Sequence, residues 1–350
     1  MNTLWLSNYY DLNVNLDGKS ILVTGGTGSF GQRFVKTVLE RYKIKRLVIF
    51  SRDELKQYEM QQKFSTQDYS ALRYFIGDVR DEERLKMAMR DIDIVIHAAA
   101  LKHVPVAEYN PSECIRTNIN GAENIVSAAI ANNVPQVIAL STDKAVNPIN
   151  LYGASKLAAD KVFVAANNLS GSNGTKFSVV RYGNVVGSRG SVVPFFRKLI
   201  ADGADFLPIT DPEMTRFWVT LQQGVDFVIS NLRYMKGGEI FVPKMPSMKV
   251  VDMATYLAPD LPQKVVGIRP GEKLHEMMIS EDDAGSSFDI GDRFVIEPTY
   301  VFWRKDDINN GISQHEGATK VNKGFRYASN VNDDWMDGKR LEEMLAEPKT

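Results

Sequence analysis

A glycine-rich turn near the N-terminus is the feature that most constrains the fold of this chain. The β-branched run Ile21–Thr24 leads into a turn that carries Gly25, Gly28 and Gly31, and an apolar helical pattern follows. Glycines at this spacing let backbone N–H groups approach a pyrophosphate, and the helix N-terminus favours its negative charge. We therefore expect a strand–turn–helix unit that binds a dinucleotide; a glycine-rich turn without a ligand is the alternative.

Further apolar runs alternate with helical patterns. They occur at Arg46–Phe50, Leu72–Ile76, Ile92–His97, Val134–Leu140 and Phe177–Arg181. This alternation predicts an α/β fold with a Rossmann-like, doubly wound parallel sheet whose strands are covered on both faces. Prolines become frequent after Tyr182. We expect the cofactor domain in residues 1–183, with 1–16 as an N-terminal extension, and a smaller C-terminal substrate-binding lobe mainly in 184–350, with some segments packing back on the first domain.

Composition excludes several classes of protein. The chain has 350 residues with 42 basic and 43 acidic side chains, so bulk charge does not favour binding to nucleic acid or to an anionic membrane. Cys114 is the only cysteine, which fits a reducing cytoplasm. No signal peptide, membrane-spanning apolar run or metal-ligand spacing is evident. The sequence predicts a cytoplasmic protein without metal.

The end of the second predicted strand bears on the choice of cofactor. NAD sites usually carry an acidic residue there to hold the ribose 2′-hydroxyl, but this chain has Ser51 and Arg52. A hydroxyl and a guanidinium suit a 2′-phosphate, so we favour NADP over NAD; a solvated Arg52 is the alternative. The next residue, Asp53, is expected to cap the helix Glu54–Phe64.

Two later strand ends complete the predicted cofactor site. Asp78 follows the third strand, where it can bind the adenine amino group or cap the next helix. The small residues Ala98–Ala100 follow the fourth strand, where the backbone passes close to the cofactor. His97 is expected to pack beneath this turn and to take no part in chemistry.

A cluster of acid–base residues points to catalysis. The segment Ser141–Ala145 contains Asp143 and Lys144, and Tyr152 and Lys156 follow with the spacing of one helix face. A lysine ammonium beside a phenol favours the phenolate, so we expect Tyr152 to act as a base below its usual pKa of about 10. Asp143 and Lys144 add a second acid–base pair, which a plain alcohol dehydrogenase does not need; an ordinary solvated pair is the alternative.

Seven motifs together resemble one family. They are Thr24-Gly-Gly-Thr-Gly-Ser-Phe-Gly31, Ser51-Arg-Asp-Glu-Leu-Lys56, Ala98-Ala-Ala-Leu-Lys-His-Val-Pro105, Ser141-Thr-Asp-Lys-Ala145, Tyr152-Gly-Ala-Ser-Lys156, Arg181-Tyr-Gly-Asn-Val185 and Arg269-Pro-Gly-Glu-Lys273. With them the chain resembles the extended short-chain dehydrogenase/reductase family from about residue 17 to residue 340. Within it, the chain is similar to the inverting UDP-N-acetylglucosamine 4,6-dehydratases that open pseudaminic acid biosynthesis. Retaining sugar-nucleotide dehydratases usually carry Asp-Glu at positions 143 and 144, and a capsule-type inverting branch lacks the tyrosine found here at 152.

The resemblance implies a redox-neutral reaction. Tyr152 would remove the C4 hydroxyl proton, Thr142 would bind the developing ketone, and Lys156 would orient the cofactor ribose and lower the Tyr152 pKa. Lys144 would take the C5 proton, and Asp143 would protonate the departing C6 hydroxyl. These roles require a lowered Lys144 pKa, from burial and the Lys156 charge, and a raised Asp143 pKa, from desolvation or the neighbouring phenolate.

The resemblance also implies the ligand contacts. NADP is expected to be tightly bound and regenerated in each turnover. Its predicted contacts are Gly25, Thr27, Gly28, Ser29, Phe30, Gly31, Ser51, Arg52, Asp78, Val79, Ala98, Ala99, Ala100, Tyr152 and Lys156. The predicted contacts of UDP-N-acetylglucosamine are Lys102, Asn184, Arg189, Arg216, Arg269 and Glu272. The family usually self-associates, so a homo-oligomer is expected.

Other functions remain open on the same residues. A nucleotide-sugar 4-epimerase would use Tyr152 and NAD without needing Asp143 and Lys144. A retaining 4,6-dehydratase would differ only in the configuration at C5. A non-enzymatic NADP-binding sensor would need neither Tyr152 nor Lys156.

Overall fold

The computed structural model describes residues 9–171, 174–188, 191–300 and 311–347. Its strands are β1 Ser20–Thr24, β2 Arg46–Ser51, β3 Leu72–Ile76, β4 Ile94–His97, β5 Gln136–Thr142, β6 Lys176–Tyr182, β7 Asn184–Val185, β8 Leu207–Ile209, β9 Thr215–Val219, β10 Ile240–Pro243, β11 Ser247–Lys249, β12 Gln263–Val265, β13 Met277–Ile279, β14 Ser287–Asp289, β15 Arg293–Ile296, β16 Thr319–Lys320 and β17 Tyr327–Ala328. Its α-helices are α1 Ser29–Arg41, α2 Glu54–Gln61, α3 Glu82–Ala88, α4 Val104–Tyr109, α5 Pro111–Ile115, α6 Gly121–Ala131, α7 Leu151–Ser170, α8 Val192–Ala201, α9 Leu221–Tyr234, α10 Val250–Leu257 and α11 Gly338–Ala346. One π-helical turn, Arg116–Asn120, joins α5 to α6, and short 3₁₀ turns lie at Asp143–Ala145, Ala284–Ser286 and Ile312–Gln314.

The described residues form one ten-stranded central sheet in the order β3-β2-β1-β4-β5-β6-β10-β15-β14-β16. The first seven strands in this order, which are β3, β2, β1, β4, β5, β6 and β10, are parallel. Strands β15, β14 and β16 extend the sheet, each antiparallel to the strand before it. The first six strands have the order of a doubly wound dinucleotide-binding fold. The predicted α/β fold class is therefore confirmed.

Side chains of the central strands fill a core on each face of the sheet. On β1, Ile21 and Val23 join the core beneath α1 and α9, whereas Leu22 joins the core beneath α3, α6 and α7. All three residues are fully buried. Burial on both faces explains why these strands are continuously apolar and not alternating.

Segments beyond residue 184 take two positions. Strand β10 joins the central sheet beside β6, and α9 packs on α1. The three-stranded sheet β11-β9-β7 and the helices α8, α10 and α11 enclose separate small cores, one of which contains Trp218, Met253 and Leu341. A division near residues 183 and 184 remains a prediction, because the central sheet is built from both sides of it. Within the described ranges, no helix has the length and apolar character needed to cross a membrane.

The sheet register brings the predicted motifs to one edge. Thr24 at the end of β1 pairs with His97 at the end of β4, which pairs with Ala139 on β5. Thr142, the last residue of β5, pairs with Tyr182 on β6. The glycine turn, Ala98–Ala100 and the Asp143–Ala145 turn thus all leave the carboxyl edge of the sheet, where ligands of doubly wound folds bind.

Candidate active site

The glycine turn is closed by contacts that leave no room for side chains. Gly25 has φ +64°, and a Cβ there would lie 2.9 Å from the backbone nitrogen of Ala99. A Cβ on Gly31 would lie 2.4 Å from the backbone of Gly26. The N–H of Gly28, the residue before α1, donates to the Gly25 carbonyl at 2.9 Å. This close packing brings the N-terminus of α1 to the carboxyl edge, so the residues fit a dinucleotide pyrophosphate.

The end of β2 is tied to the glycine turn. The hydroxyls of Thr27 and Ser51 lie 2.9 Å apart and are buried. The next side chain, Arg52, is 54% exposed and projects from this edge. Asp53 Oδ1 accepts from the Lys56 N–H at 3.0 Å and caps α2, so the capping role predicted for Asp53 is confirmed.

Asp78 lies beside Arg52 across the strand ends. Its Oδ2 is 3.6 Å from Arg52 Nη1 and 2.7 Å from Arg80 Nη2. The cap of α3 is Asp81, whose side chain accepts from the Arg84 N–H, so Asp78 does not fill the capping role that the sequence left open. Desolvation raises the pKa of Asp78, but hydrogen bonds from Arg80 outweigh it and the net pKa is lowered. The carboxylate therefore stays charged.

His97 supports the turn that carries the three alanines. The Thr24 hydroxyl accepts from the N–H groups of Ala98 and Ala99 at 3.1 and 3.2 Å, so its own proton is directed to His97 Nδ1 at 2.9 Å. Burial, together with the charge of Lys156, lowers the pKa of His97 to about 3. A neutral imidazole buried beneath the turn matches the packing role predicted for it.

The catalytic candidates meet where β5 ends. The Thr142 hydroxyl donates to Asp143 Oδ1 at 2.8 Å, and Lys144 Nζ donates to the same oxygen at 3.0 Å. Asp143 is fully buried, and the Lys144 side chain is 27% exposed. The 3₁₀ turn of Asp143–Ala145 lies against α7 and brings both side chains to it.

Tyr152 and Lys156 are buried one turn apart on α7. Burial raises the pKa of Tyr152 to about 12, and the Lys144 charge and a hydrogen bond with Thr142 act in the opposite direction. The predicted lowering of this pKa is therefore wrong for the protein alone: desolvation outweighs the nearby cations. Lys156 Nζ donates to the Leu140 carbonyl at 2.6 Å, and burial lowers its pKa.

The pKa values of Asp143 and Lys144 are both raised, but for different reasons. Burial raises the pKa of Asp143 and the charge of Glu276 raises it further, so the predicted direction is confirmed, with Glu276 in place of a phenolate as the charged neighbour. Burial alone lowers the pKa of Lys144, but the carboxylates of Asp143 and Glu276 outweigh burial and the net pKa is raised. The predicted lowering of the Lys144 pKa is therefore wrong.

Sequence reasoning missed Glu276. Its Oε1 lies 3.0 Å from Lys144 Nζ, and the residue is 1% exposed. The only signal was its position, three residues after the Arg269–Lys273 motif, and a single glutamate there is weak evidence.

Arg216 differs from the expected diphosphate contact. Its Nη1 donates to the carbonyls of Thr215 and Leu274 at 2.7 and 3.0 Å, and its Nε is 3.8 Å from Glu276 Oε1. The guanidinium is 7% exposed and its donors face protein acceptors. Arg216 therefore belongs to the charge cluster around Glu276, and its contact with the diphosphate stays a prediction.

The Arg269–Lys273 turn is held against the start of α7. The Asn150 side chain caps α7 through the Gly153 N–H and donates to the Gly271 carbonyl at 2.7 Å. Arg269 is exposed on this turn, and Glu272 is half-buried with Oε1 3.6 Å from Arg216 Nη2.

Two of the other predicted substrate contacts, Lys102 and Asn184, fall within the described residues. Lys102 is exposed beyond β4, and Asn184 is half-buried on β7. Arg189 lies outside the described residues.

Comparisons with known proteins agree with this arrangement. Residues 21–298 match the family described as "Polysaccharide biosynthesis protein". A Campylobacter jejuni subsp. jejuni serotype O:2 protein named UDP-N-acetylglucosamine 4,6-dehydratase (inverting) is 58% identical over 327 residues, covering 93% of this chain and 97% of that protein. A Rickettsia canadensis protein named UDP-glucose 4-epimerase is 42% identical, covering 79% of this chain and 82% of its own length. The X-ray structure of Pen from Bacillus thuringiensis superposes with a TM-score of 0.83 at 35% identity, covering 94% of this chain and 98% of that one. The chain therefore belongs to the polysaccharide biosynthesis protein family, in the group that resembles the inverting UDP-N-acetylglucosamine 4,6-dehydratases of the short-chain dehydrogenase/reductase fold.

Proposed function

We propose that this chain is a C5-inverting UDP-N-acetylglucosamine 4,6-dehydratase. Its product would be UDP-2-acetamido-2,6-dideoxy-β-L-arabino-hex-4-ulose, made for pseudaminic acid or a related surface glycan. The observation that carries the proposal is the partly buried Asp143–Lys144 hydrogen bond beside Tyr152. The 58% identity over nearly the full length of the Campylobacter jejuni protein of that name supports the choice of substrate.

We propose NADP as the cofactor, which would supply a hydride acceptor at C4 and return the same hydride to C6. Gly25, Gly28 and Gly31 would hold its pyrophosphate against the N-terminus of α1. Arg52 would bind the 2′-phosphate, since its guanidinium is exposed and only loosely paired with Asp78 at 3.6 Å. Lys156 would bind the ribose from its buried position on α7.

Oxidation at C4 needs a base for the hydroxyl proton. Tyr152 would be this base, and the ammonium of Lys144 would favour its phenolate, because that charge opposes the effect of burial on the Tyr152 pKa. Thr142, whose hydroxyl proton is directed to Asp143 Oδ1 in the protein alone, would turn that proton to the ketone oxygen.

Elimination needs an acid and a base together. Transfer of one proton along the 3.0 Å hydrogen bond from Lys144 Nζ to Asp143 Oδ1 would leave a neutral amine and a protonated carboxyl. Lys144 would then take the C5 proton, and Asp143 would protonate the C6 oxygen as it leaves as water. The raised Asp143 pKa favours the form that can donate.

A 4-epimerase is the second candidate, favoured by the 42% identity to the Rickettsia canadensis protein of that name. It would use Tyr152 but would not need an acid at Asp143. Incubation with UDP-N-acetylglucosamine followed by mass spectrometry separates the two candidates. We expect loss of one water, abolished by Asp143→Asn; an unchanged mass with a new C4 epimer would identify an epimerase.

A further inference from the structure

Lys144 is held between two carboxylates that come from distant parts of the chain. Its Nζ lies 3.0 Å from Asp143 Oδ1 and 3.0 Å from Glu276 Oε1. Asp143 follows β5, whereas Glu276 directly precedes β13. A general base held by one neighbouring acid would not need the second carboxylate, so Glu276 calls for its own explanation.

The backbone fixes Glu276 in this position. Its N–H donates to the Ser329 hydroxyl at 3.0 Å, and its carbonyl accepts from the Ser329 N–H at 2.8 Å. Ser329 is fully buried next to β17, which pairs with β13. The carboxylate is therefore directed at Lys144 by rigid main-chain contacts and has little freedom to turn to solvent.

The second oxygens of the two acids are also informative. Among the described residues, neither Asp143 Oδ2 nor Glu276 Oε2 has a hydrogen-bond partner, and both atoms are buried. Buried polar atoms without a protein partner are uncommon, and a catalytic role is one of the reasons for them. Within the described residues, both carboxylates are thus paired only through the oxygen that faces Lys144.

Several charged groups face this cluster. Arg216 on β9 approaches Glu276 at 3.8 Å, and Glu272 approaches Arg216 at 3.6 Å. Lys273 acts on Glu276 at longer range while its Nζ donates to the Val146 carbonyl. Two further titratable groups lie close by. Tyr152 on α7 faces Lys144, and His275, which lies near Arg216, binds the Thr215 hydroxyl through Nδ1 at 2.8 Å.

We propose that Glu276 is a positioning residue for the dehydration, an inference that rests on the proposed function. Its fixed negative charge holds Lys144 Nζ against Asp143 and sets the pH range in which the Asp143–Lys144 pair can work. A negative charge stabilises the protonated form of both partners, so it raises the pKa of each, in agreement with the shifts of both groups.

The direct test is the pH dependence of turnover in Glu276→Gln. The Asp143–Lys144 pair works when it holds one proton. Activity is therefore lost at low pH, where the pair gains a second proton, and at high pH, where the pair loses its only proton. Removing the charge should move both limbs of the profile to lower pH by about 1 to 3 units. Glu276→Asp keeps the charge at a greater distance and should move both limbs the same way by less, so it carries the test alone if the glutamine variant does not fold.

The matched control is Glu239→Gln. Glu239 is also 1% exposed, but it binds the Ser178 hydroxyl at 2.7 Å near the opposite edge of the sheet. This variant should leave both limbs unchanged. If Glu276→Gln loses activity but both limbs of its pH profile stay at the wild-type pH, Glu276 has only a structural role and the proposal is overturned.

A second readout does not depend on turnover. Acetylation of Lys144 by acetic anhydride, followed by peptide mass spectrometry with the exposed Lys43 as internal standard, reports the fraction of neutral amine. At a fixed mildly alkaline pH, Glu276→Gln should raise the Lys144 rate by about tenfold or more, since one pKa unit is a tenfold change. An unchanged rate would overturn the proposal, whereas a wild-type protein that does not dehydrate UDP-N-acetylglucosamine would overturn only the proposed function.

Discussion

Lys144 Nζ lies 3.0 Å from Asp143 Oδ1, so the residue proposed to remove a proton and the residue proposed to donate one share a hydrogen bond. The two active forms, a neutral amine and a protonated carboxyl, differ from the resting ion pair only in the position of one proton. The pair can therefore become acid and base without exchanging a proton with solvent. This relationship separates the proposed dehydratase from an enzyme that only moves a hydride.

Substitutions at Tyr152 and Lys144 should block different steps, oxidation at C4 and elimination of water. Tyr152→Phe removes the base for C4 oxidation, so no NADPH absorbance should appear after substrate is mixed with the NADP-loaded protein. Lys144→Ala should permit oxidation while elimination stalls, and NADPH should accumulate. Because the Lys144 charge opposes the rise that burial causes in the Tyr152 pKa, oxidation in this variant should also need a higher pH. Rapid-mixing absorbance checks both variants, and normal dehydration by Lys144→Ala would show that another residue is the base.

Arg52→Ala should change cofactor preference. Losing a charged hydrogen-bond donor to the 2′-phosphate should weaken NADP binding by about 10- to 100-fold and leave NAD binding nearly unchanged. Arg80→Ala is the control, because Arg80 also pairs with Asp78, at 2.7 Å, yet does not follow β2. Equal weakening of both cofactors in a fluorescence titration would argue against a 2′-phosphate contact.

His97 should make stability depend on pH. Its pKa is about 6.5 when unfolded and about 3 when folded, so the unfolded chain takes up the proton first as pH falls. Its contribution is complete above pH ~6.5 and is lost progressively below that pH. Between pH 7 and pH 5 the wild-type free energy of unfolding should fall by about 2 kcal/mol more than that of His97→Asn. Urea denaturation at the two pH values measures this difference, and equal losses would indicate that His97 is not buried as a neutral ring.

Gly25→Ala should lower stability by more than the strain of a positive φ alone would account for. Gly18 has a similar φ of +70°, but a Cβ there would meet no atom of the described chain within 4 Å. Gly18→Ala should therefore cost about 1–2 kcal/mol of stability. Gly25→Ala should cost about 1–3 kcal/mol more, because its Cβ meets the Ala99 backbone at 2.9 Å, and should also weaken cofactor binding. Thermal unfolding with and without NADP compares the two, and equal costs would disprove the close contact.

Features determined by neighbouring residues were predictable from sequence. The strand–glycine–helix unit, the Asp53 cap and the position of His97 depend on residues close in the chain or on alternation of elements. The parallel, doubly wound sheet was predictable because parallel strands with helical crossovers have few arrangements.

The electrostatics of the site were not predictable in the same way. Glu276 lies 132 residues beyond Lys144 and reaches it through the pairing of β13 with β17. The charge of Asp143, together with that of Glu276, reverses the expected shift of the Lys144 pKa, and desolvation reverses that of Tyr152. Arg216 has the residue type of a diphosphate ligand, but backbone carbonyls of Thr215 and Leu274 occupy its donors. Such effects depend on burial and on contacts between distant segments.

The most direct test of the central claim is proton NMR of the product formed from UDP-N-acetylglucosamine in deuterium oxide. We predict a 4-keto-6-deoxy sugar of L-arabino configuration, with solvent deuterium at C5 and the substrate C4 hydrogen transferred to C6. Coupling constants around C5 report the configuration. A D-xylo product would contradict C5 inversion while leaving the dehydratase assignment in place, and a C4 epimer that keeps its C6 hydroxyl would contradict the account as a whole.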